Sequence, residues 1–315
     1  MYNAEQKEQF IKAYSTKISV RRSAKLLFNL FEPFEESWGA DLCTRDLPTL
    51  QAAFDQVVGI REVSRKSPRT ILRKYVEWCR ENNIPGTTSD SIDLDISGIG
   101  TLKVQMIRSP RHLQAMLDSI CLPESEQTAD NYFRVYYWLC YAGMREDDIV
   151  AVRTSDVDFS KMNVHFGEKD YPIYREAIPA FRNCVELAAF KYKHGNYVKD
   201  IWKPRADGDI LVRGTKGAPS VAAMRVELSR RLKLAREAGK TQMETSYYKI
   251  WLSGVFYQAW EEELAGGPVD FRPFVDDKLG NFQYSINQSM TQEGRRRLAA
   301  ADYHADYERW KQIFM

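Results

Sequence analysis

The sequence predicts a mainly α-helical protein with a small antiparallel β-sheet, divided into two domains. Three observations predict it. Apolar residues recur at three- and four-residue spacing along most of the chain, the period of a helix face turned towards a core. Strand character is confined to two short segments, Met162–Phe166 and Tyr171–Ile178, joined by a polar turn at Gly167–Asp170. Pro85 and Gly86 close the early helices, and the stretch from Thr87 to Gly100 is rich in Ser, Thr, Asp, Ile and Gly without a periodic apolar face. The expected division is therefore a helical domain over 1–86, a linker over 87–108 and a second domain over 109–315.

The elements follow in order. Ala4–Tyr14 reads as a short amphipathic helix, and Val20–Phe34 as a second one carrying Ala24, Leu26, Leu27, Leu30 and Phe31. The Asp46-Leu-Pro48 step suits a helix start before Thr49–Val58. The clearest helix is Pro68–Asn82. Pro68 fits a first turn, and Ile71, Leu72, Tyr75, Val76 and Cys79 form one stripe, with Arg69, Arg73 and Arg80 off it. Ser109-Pro110 opens a helix over Arg111–Ile120. Thr128–Ala142 is an aromatic, apolar helix broken by Gly143, and its Tyr136–Trp138 cluster reads as core. Glu146–Val152 is short. After Pro179 the pattern returns to helix, with Ala222–Ala238, Ser246–Leu264 and Glu293–Phe314 the clearest.

Composition narrows the function classes. Hydrophobic residues make up 44% of the 315, enough for a real core. No run approaches the roughly 18 apolar residues of a membrane span, and the opening MYNAEQKEQF lacks the apolar centre of a signal peptide. The expected location is the cytoplasm, with no membrane partner. Cys43, Cys79, Cys121, Cys140 and Cys184 show no CxxC spacing and read as buried small hydrophobes. His112, His165, His194 and His304 make no metal spacing, and Gly214-Thr-Lys-Gly217 lacks the length and order of a phosphate-binding loop. No metal and no cofactor is expected. The net charge is only +2, but it is segregated: Trp202–Lys240 holds ten Lys or Arg against four acids, and Glu261–Asp277 six acids against one Arg. Such a chain can present a basic groove while staying nearly neutral.

The most informative segment runs from Tyr141 to Phe159, YAGMREDDIVAVRTSDVDF. An apolar helix ends at a glycine, a single arginine follows, then acids, a short helix and an Asp-Val-Asp turn into a hairpin. This resembles the first box of the tyrosine recombinases, the phage integrases. Arg175-Glu-Ala-Ile-Pro179 resembles that family's exit from the hairpin. Asp209–Arg213, Thr215–Gly217 and the basic helix at Ala222–Ala238 follow in family order, and Thr70–Gly86 resembles the last helix of its core-binding domain. The resemblance implies an integrase-like clamp: a helical core-binding domain of the SAM-like type at 1–86 and the catalytic-fold domain at 109–315, gripping double-stranded DNA. The opening MYNAEQKEQFI and the Trp38–Cys43 stretch are similar to the MrpR-type, integrase-like phage lysogeny repressors.

Recombination of this kind needs a tyrosine nucleophile, two arginines on the phosphate oxygens, and a Lys and a His for proton transfer. By resemblance Arg145 stands for the first arginine, Lys169 for the hairpin lysine, and Tyr303, or less favourably Tyr307, for the nucleophile. The second box departs from the pattern. Lys249 stands for its histidine, Leu252 for its arginine and Ser253 for its second histidine. Leucine cannot donate to a phosphate. Lys278–Asn281 is the nearest match to the later Leu-Gly-His box and lacks the His. Arg69, Arg73, Arg80, Arg145, Lys169, Lys216, Arg225, Arg230 and Lys233 are the expected DNA contacts. The first reading is a sequence-specific regulator, a phage lytic-cycle repressor with a degenerate active site. The alternative is an active site-specific recombinase working through a phosphotyrosine. A helical interaction scaffold is a third. Partner candidates are DNA, a second copy of the chain on the DNA, and a small protein or peptide regulator.

Overall fold

Helix α1 (Ala4–Tyr14) and helix α2 (Ile18–Trp38) form as the apolar spacing predicts, and each buries one stripe. The computed structural model describes all residues except 59–61, 123–127, 187–188, 195–196, 203–208, 214–217, 273–274 and 276–291. Of residues 62, 63, 189–194, 197–202, 292 and 295 it describes the backbone alone. The described chain is mainly α-helical with small antiparallel sheets, and it divides into two compact units, Met1–Lys103 and Val104–Met315.

In the first unit α2 turns Ala24, Leu27, Phe28, Phe31 and Glu35 inward, so Leu26 and Leu30, expected on the apolar face, lie exposed instead. The spacing explains this. The buried residues recur at i, i+3, i+4, i+7 and i+11, and both leucines lie off that line. Asp46 caps α3 (Leu47–Val57) by accepting from the Thr49 N–H at 2.8 Å. Helix α4 (Glu62–Glu81) starts six residues before the predicted Pro68, which therefore sits inside it. The added turn is docked by Arg65, which is fully buried, pairs with Asp55 and lies 4.5 Å over the Phe54 ring. Residues 87–103 pack on this unit. Ile92 and Leu94 join its core, Arg80 donates to the Thr88 and Asp90 carbonyls, and Thr101 donates to the Asp55 carbonyl at 2.6 Å. A buried charge group, Lys7 with Glu35 and Asp41, ties α1 to α2. Burial pushes the Glu35 carboxyl above its usual range while Lys7 pulls the other way.

Helix α5 (Ile99–Gln105) crosses the division between units, and α6 (Pro110–Ile120) opens on a Ser109 cap. The second unit is built around α7 (Asp130–Tyr141), all twelve of whose residues are buried. A helix that is apolar on every side belongs in a core, and Tyr136–Trp138 lie there as expected. After α8 (Glu146–Ile149) come β1 (Val157–Asp158), β2 (Asn163–Phe166) and β3 (Lys169–Pro172). These form an antiparallel sheet in that order, with Val157 opposite Val164 and Phe166 opposite Lys169. The second predicted strand is shorter than expected, because Arg175–Ala177 turns into a 3-10 helix that leads to α9 (Ile178–Glu186). The expected return to helix after Pro179 holds for α9 and for the last three helices, but not for the stretch directly after α9. A hairpin follows, β4 (Ala189–His194) with β5 (Tyr197–Trp202), in which Phe190–Lys193 alternate with the strand period of two. Helices α10 (Val221–Glu237), α11 (Tyr247–Leu264) and α12 (Gln292–Phe314) complete the unit. All five cysteines are buried and none forms a disulfide, and no described helix is long and apolar enough to cross a membrane.

Helix α11 crosses α7 at Gly254. A Cβ there would lie 1.6 Å from the Tyr141 carbonyl oxygen, so only glycine allows the approach. Gly254→Ala is expected to cost about 3 kcal/mol or more through forced separation of the helices. Chemical denaturation of wild type and variant measures it, and an unchanged midpoint would mean the crossing is not tight.

Candidate nucleic-acid interface

Gly143 ends α7 with φ +95°, a backbone that L side chains rarely adopt. The chain then turns through buried Met144 into Arg145, whose extended backbone caps α8. The carbonyls at a helix end have no partner within the helix. Here the turn itself closes those of Trp138, Leu139 and Cys140, and α11 partners the turn: the Tyr247 hydroxyl donates to the Met144 carbonyl at 2.9 Å, and the Trp251 indole N–H donates to the Gly143 carbonyl at 2.9 Å. The backbone leading into Arg145 is thus fixed from the neighbouring helix. The Arg145 side chain is 51% exposed, and its Nε donates to Asp148 at 3.0 Å. An exposed pair of this kind contributes at most about 1 kcal/mol, so Arg145 can exchange it for another anion.

Next to Arg145, Glu146 is buried and grips Arg225 of α10. The Arg225 Nε donates to its two carboxylate oxygens at 2.8 and 2.9 Å, and Nη2 makes a further contact. Arg225 is itself 62% exposed. Hydrogen bonding to Glu146 holds the guanidinium above its usual pKa. Two expected DNA contacts far apart in sequence, Arg145 and Arg225, therefore share one corner of the unit. Glu146, Tyr247 and Trp251 were not among the predicted site residues. Glu146 read as one of a run of acids, and the two aromatics read as core.

The other predicted residues are placed as follows. Lys169 is exposed at the first position of β3. Lys249 is half-buried in the first turn of α11, its Nζ 6.0 Å from the Tyr248 ring centre. Arg230 and Lys233 lie on the exposed side of α10, near Glu227 and Glu237. In the first unit Arg69 and Arg73 lie near Asp93 and Glu77, while Arg80 holds the 88–90 backbone. Lys216 and the Lys278–Asn281 segment fall outside the described residues. Neither Leu252 nor Ser253 faces solvent. Leu252 is core, and buried Ser253 accepts from the Ile107 N–H at 2.8 Å and donates to the Lys249 carbonyl at 2.6 Å.

Tyr303 is only 3% exposed, with its hydroxyl 3.5 Å from that of Tyr248 and its ring beside Phe271. Tyr307 is fully buried and donates to Glu263 at 2.5 Å. Burial and that carboxylate raise its phenol well above the usual value, which disfavours a phenolate. Among the described residues no cluster of three metal-ligating side chains occurs.

Residues 1–81 match the family model of the MrpR N-terminal core-binding domain. The chain is also remotely similar to solved structures along most of its length. The XerA recombinase shares 11% identity, covering 95% of this chain and 98% of that one, at a TM-score of 0.39. The Tn1549 transposon integrase in complex with circular intermediate DNA shares 13%, covering 94% and 98%, at 0.35. No curated protein sequence matches.

Placing an arginine at Leu252, the position that the resemblance sets against a second phosphate-binding arginine, gives a direct test of that position. Leu252→Arg should unfold the second unit rather than activate it, because it buries an unpaired charge at a cost of roughly 3–5 kcal/mol. Circular dichroism against denaturant reads this out. A stable, folded variant would mean that the position opens to solvent.

Proposed function

We propose that this chain is a DNA-binding protein of integrase descent that grips DNA without cutting it. It acts in the cytoplasm as a sequence-specific transcriptional regulator, of the kind that represses a phage lytic cycle. One observation carries the reading: Arg145 is exposed at a rigid backbone corner, while the positions of the second arginine and its neighbouring histidine, Leu252 and Ser253, are built into the core. A phosphate held there would meet Arg145 and Arg225 but no donor from Leu252. Losing one preorganised donor from a phosphoryl-transfer site costs on the order of a hundredfold or more in rate. Binding has no such requirement, since affinity comes from neutralising phosphates additively. Tyr303 is buried rather than presented, which is compatible with packing and not with in-line attack from this conformation.

The match of residues 1–81 to a core-binding domain supports the same reading. The alternative, an active recombinase, draws on the contact of Tyr303 with Tyr248, which follows Tyr247 of the Arg145 corner. It requires Tyr303 to leave its burial site and another cation to replace the missing arginine.

Arg145→Ala should weaken binding to all duplexes alike, and lower the slope of log affinity against log salt by about 0.9, one phosphate contact. Fluorescence anisotropy at several salt concentrations reads both. Unchanged affinity and slope would make Arg145 a helix cap only. Salt-independent binding by the wild type would instead favour an interaction scaffold.

A further inference from the structure

Helix α2 has a second face that nothing described in the chain covers. Ile18, Leu26 and Leu30 are 76%, 59% and 52% exposed, and Pro33 is exposed with them. At about 100° per residue, Ile18, Arg22, Leu26, Leu30, Pro33 and Glu36 fall within one arc of about 120°. Single surface leucines need no explanation. An apolar line that runs along the helix between an arginine and a glutamate is the composition of a pairing seam.

We propose that this face pairs antiparallel with the same face of a second copy of the chain, about a two-fold axis. The order of charge decides the occupant. Arg22 lies on the N-terminal side of Leu26 and Leu30, and Glu36 on the C-terminal side; among the described residues neither forms an ion pair. The register that sets Arg22 against the partner's Glu36 also sets Leu26 against the partner's Pro33 and brings the two Leu30 side chains together at the axis. Symmetry makes each contact twice, and the two helix dipoles oppose each other favourably. A parallel pair would stack like charges. DNA fits the face poorly, because a phosphate would meet Glu36 and two leucines. The pairing does not depend on the DNA-binding reading and needs no DNA to be observed.

Sedimentation velocity of the full chain without DNA, over a range of concentrations, tests it. The wild type should pass from monomer to dimer. Leu26→Asp combined with Leu30→Asp should raise the dissociation constant about a hundredfold or more. Arg22→Glu and Glu36→Arg should each weaken the dimer about fivefold, and the two together in one chain should restore it, because the swapped pair is again complementary. Circular dichroism checks that these exposed substitutions leave the fold intact. A wild type that stays monomeric, or a swapped variant that fails to recover, overturns the proposal. Loss of DNA affinity in Arg22→Glu with unchanged sedimentation would assign the face to DNA and overturn it equally.

Discussion

At Gly254 the backbone of α11 lies so near the Tyr141 carbonyl that no side chain fits between them. Much of the second unit follows from that crossing. It brings Tyr247 and Trp251 to the Met144 and Gly143 carbonyls of the turn that follows α7, and Gly143 gives the backbone the left-handed turn that releases Arg145 outward. Ser253, beside the glycine, ties α11 to the Ile107 N–H. Leu252 lies about 200° round α11 from Gly254, yet it too is buried. On the proposed reading, tight packing and a complete phosphate clamp would compete for that position, and packing has taken it.

The cations divide by burial. Arg65 and Arg231 are structural: each is withdrawn from water, paired with an aspartate and laid over a phenylalanine ring. Lys7 does the same with Glu35 and Asp41. Removing one partner of such a group costs about 3–5 kcal/mol. Arg145, Arg230 and Lys233 keep much of their surface in water, and their acidic neighbours are weak competitors for a phosphate. Arg225 is the intermediate case. Its carboxylate partner is buried, so its direction is set, while its outer surface stays accessible. On the proposed reading these side chains supply grip through charge that the fold has already oriented.

Much of this was legible in the sequence. The stripe on α4, the buried aromatics of α7 and the glycine–arginine corner all follow from spacing and from glycine's conformational freedom. What escaped was set by contacts between distant residues. Leu26 and Leu30 look like core by hydropathy, and only the phase of α2 against its neighbours turns them out. The extra turn before Pro68 depends on Arg65 meeting Asp55 and Phe54. In the β4–β5 hairpin only Phe190–Lys193 alternate, while Tyr197–Trp202 runs in like pairs, so no strand period stands out. Glu146 carried no signal beyond its place in an acidic run, because its partner Arg225 lies far along the chain.

Covalent trapping distinguishes grip without cleavage from recombination. A duplex carrying the cognate site and a nick beside the point of strand exchange retains a 3′-phosphotyrosyl adduct on any active recombinase of this kind. For a chain that only grips DNA, tight, salt-sensitive binding to that duplex is expected, with no covalent adduct on denaturing electrophoresis. An adduct that forms with the wild type and disappears in Tyr303→Phe would contradict the proposed reading and make the chain a recombinase.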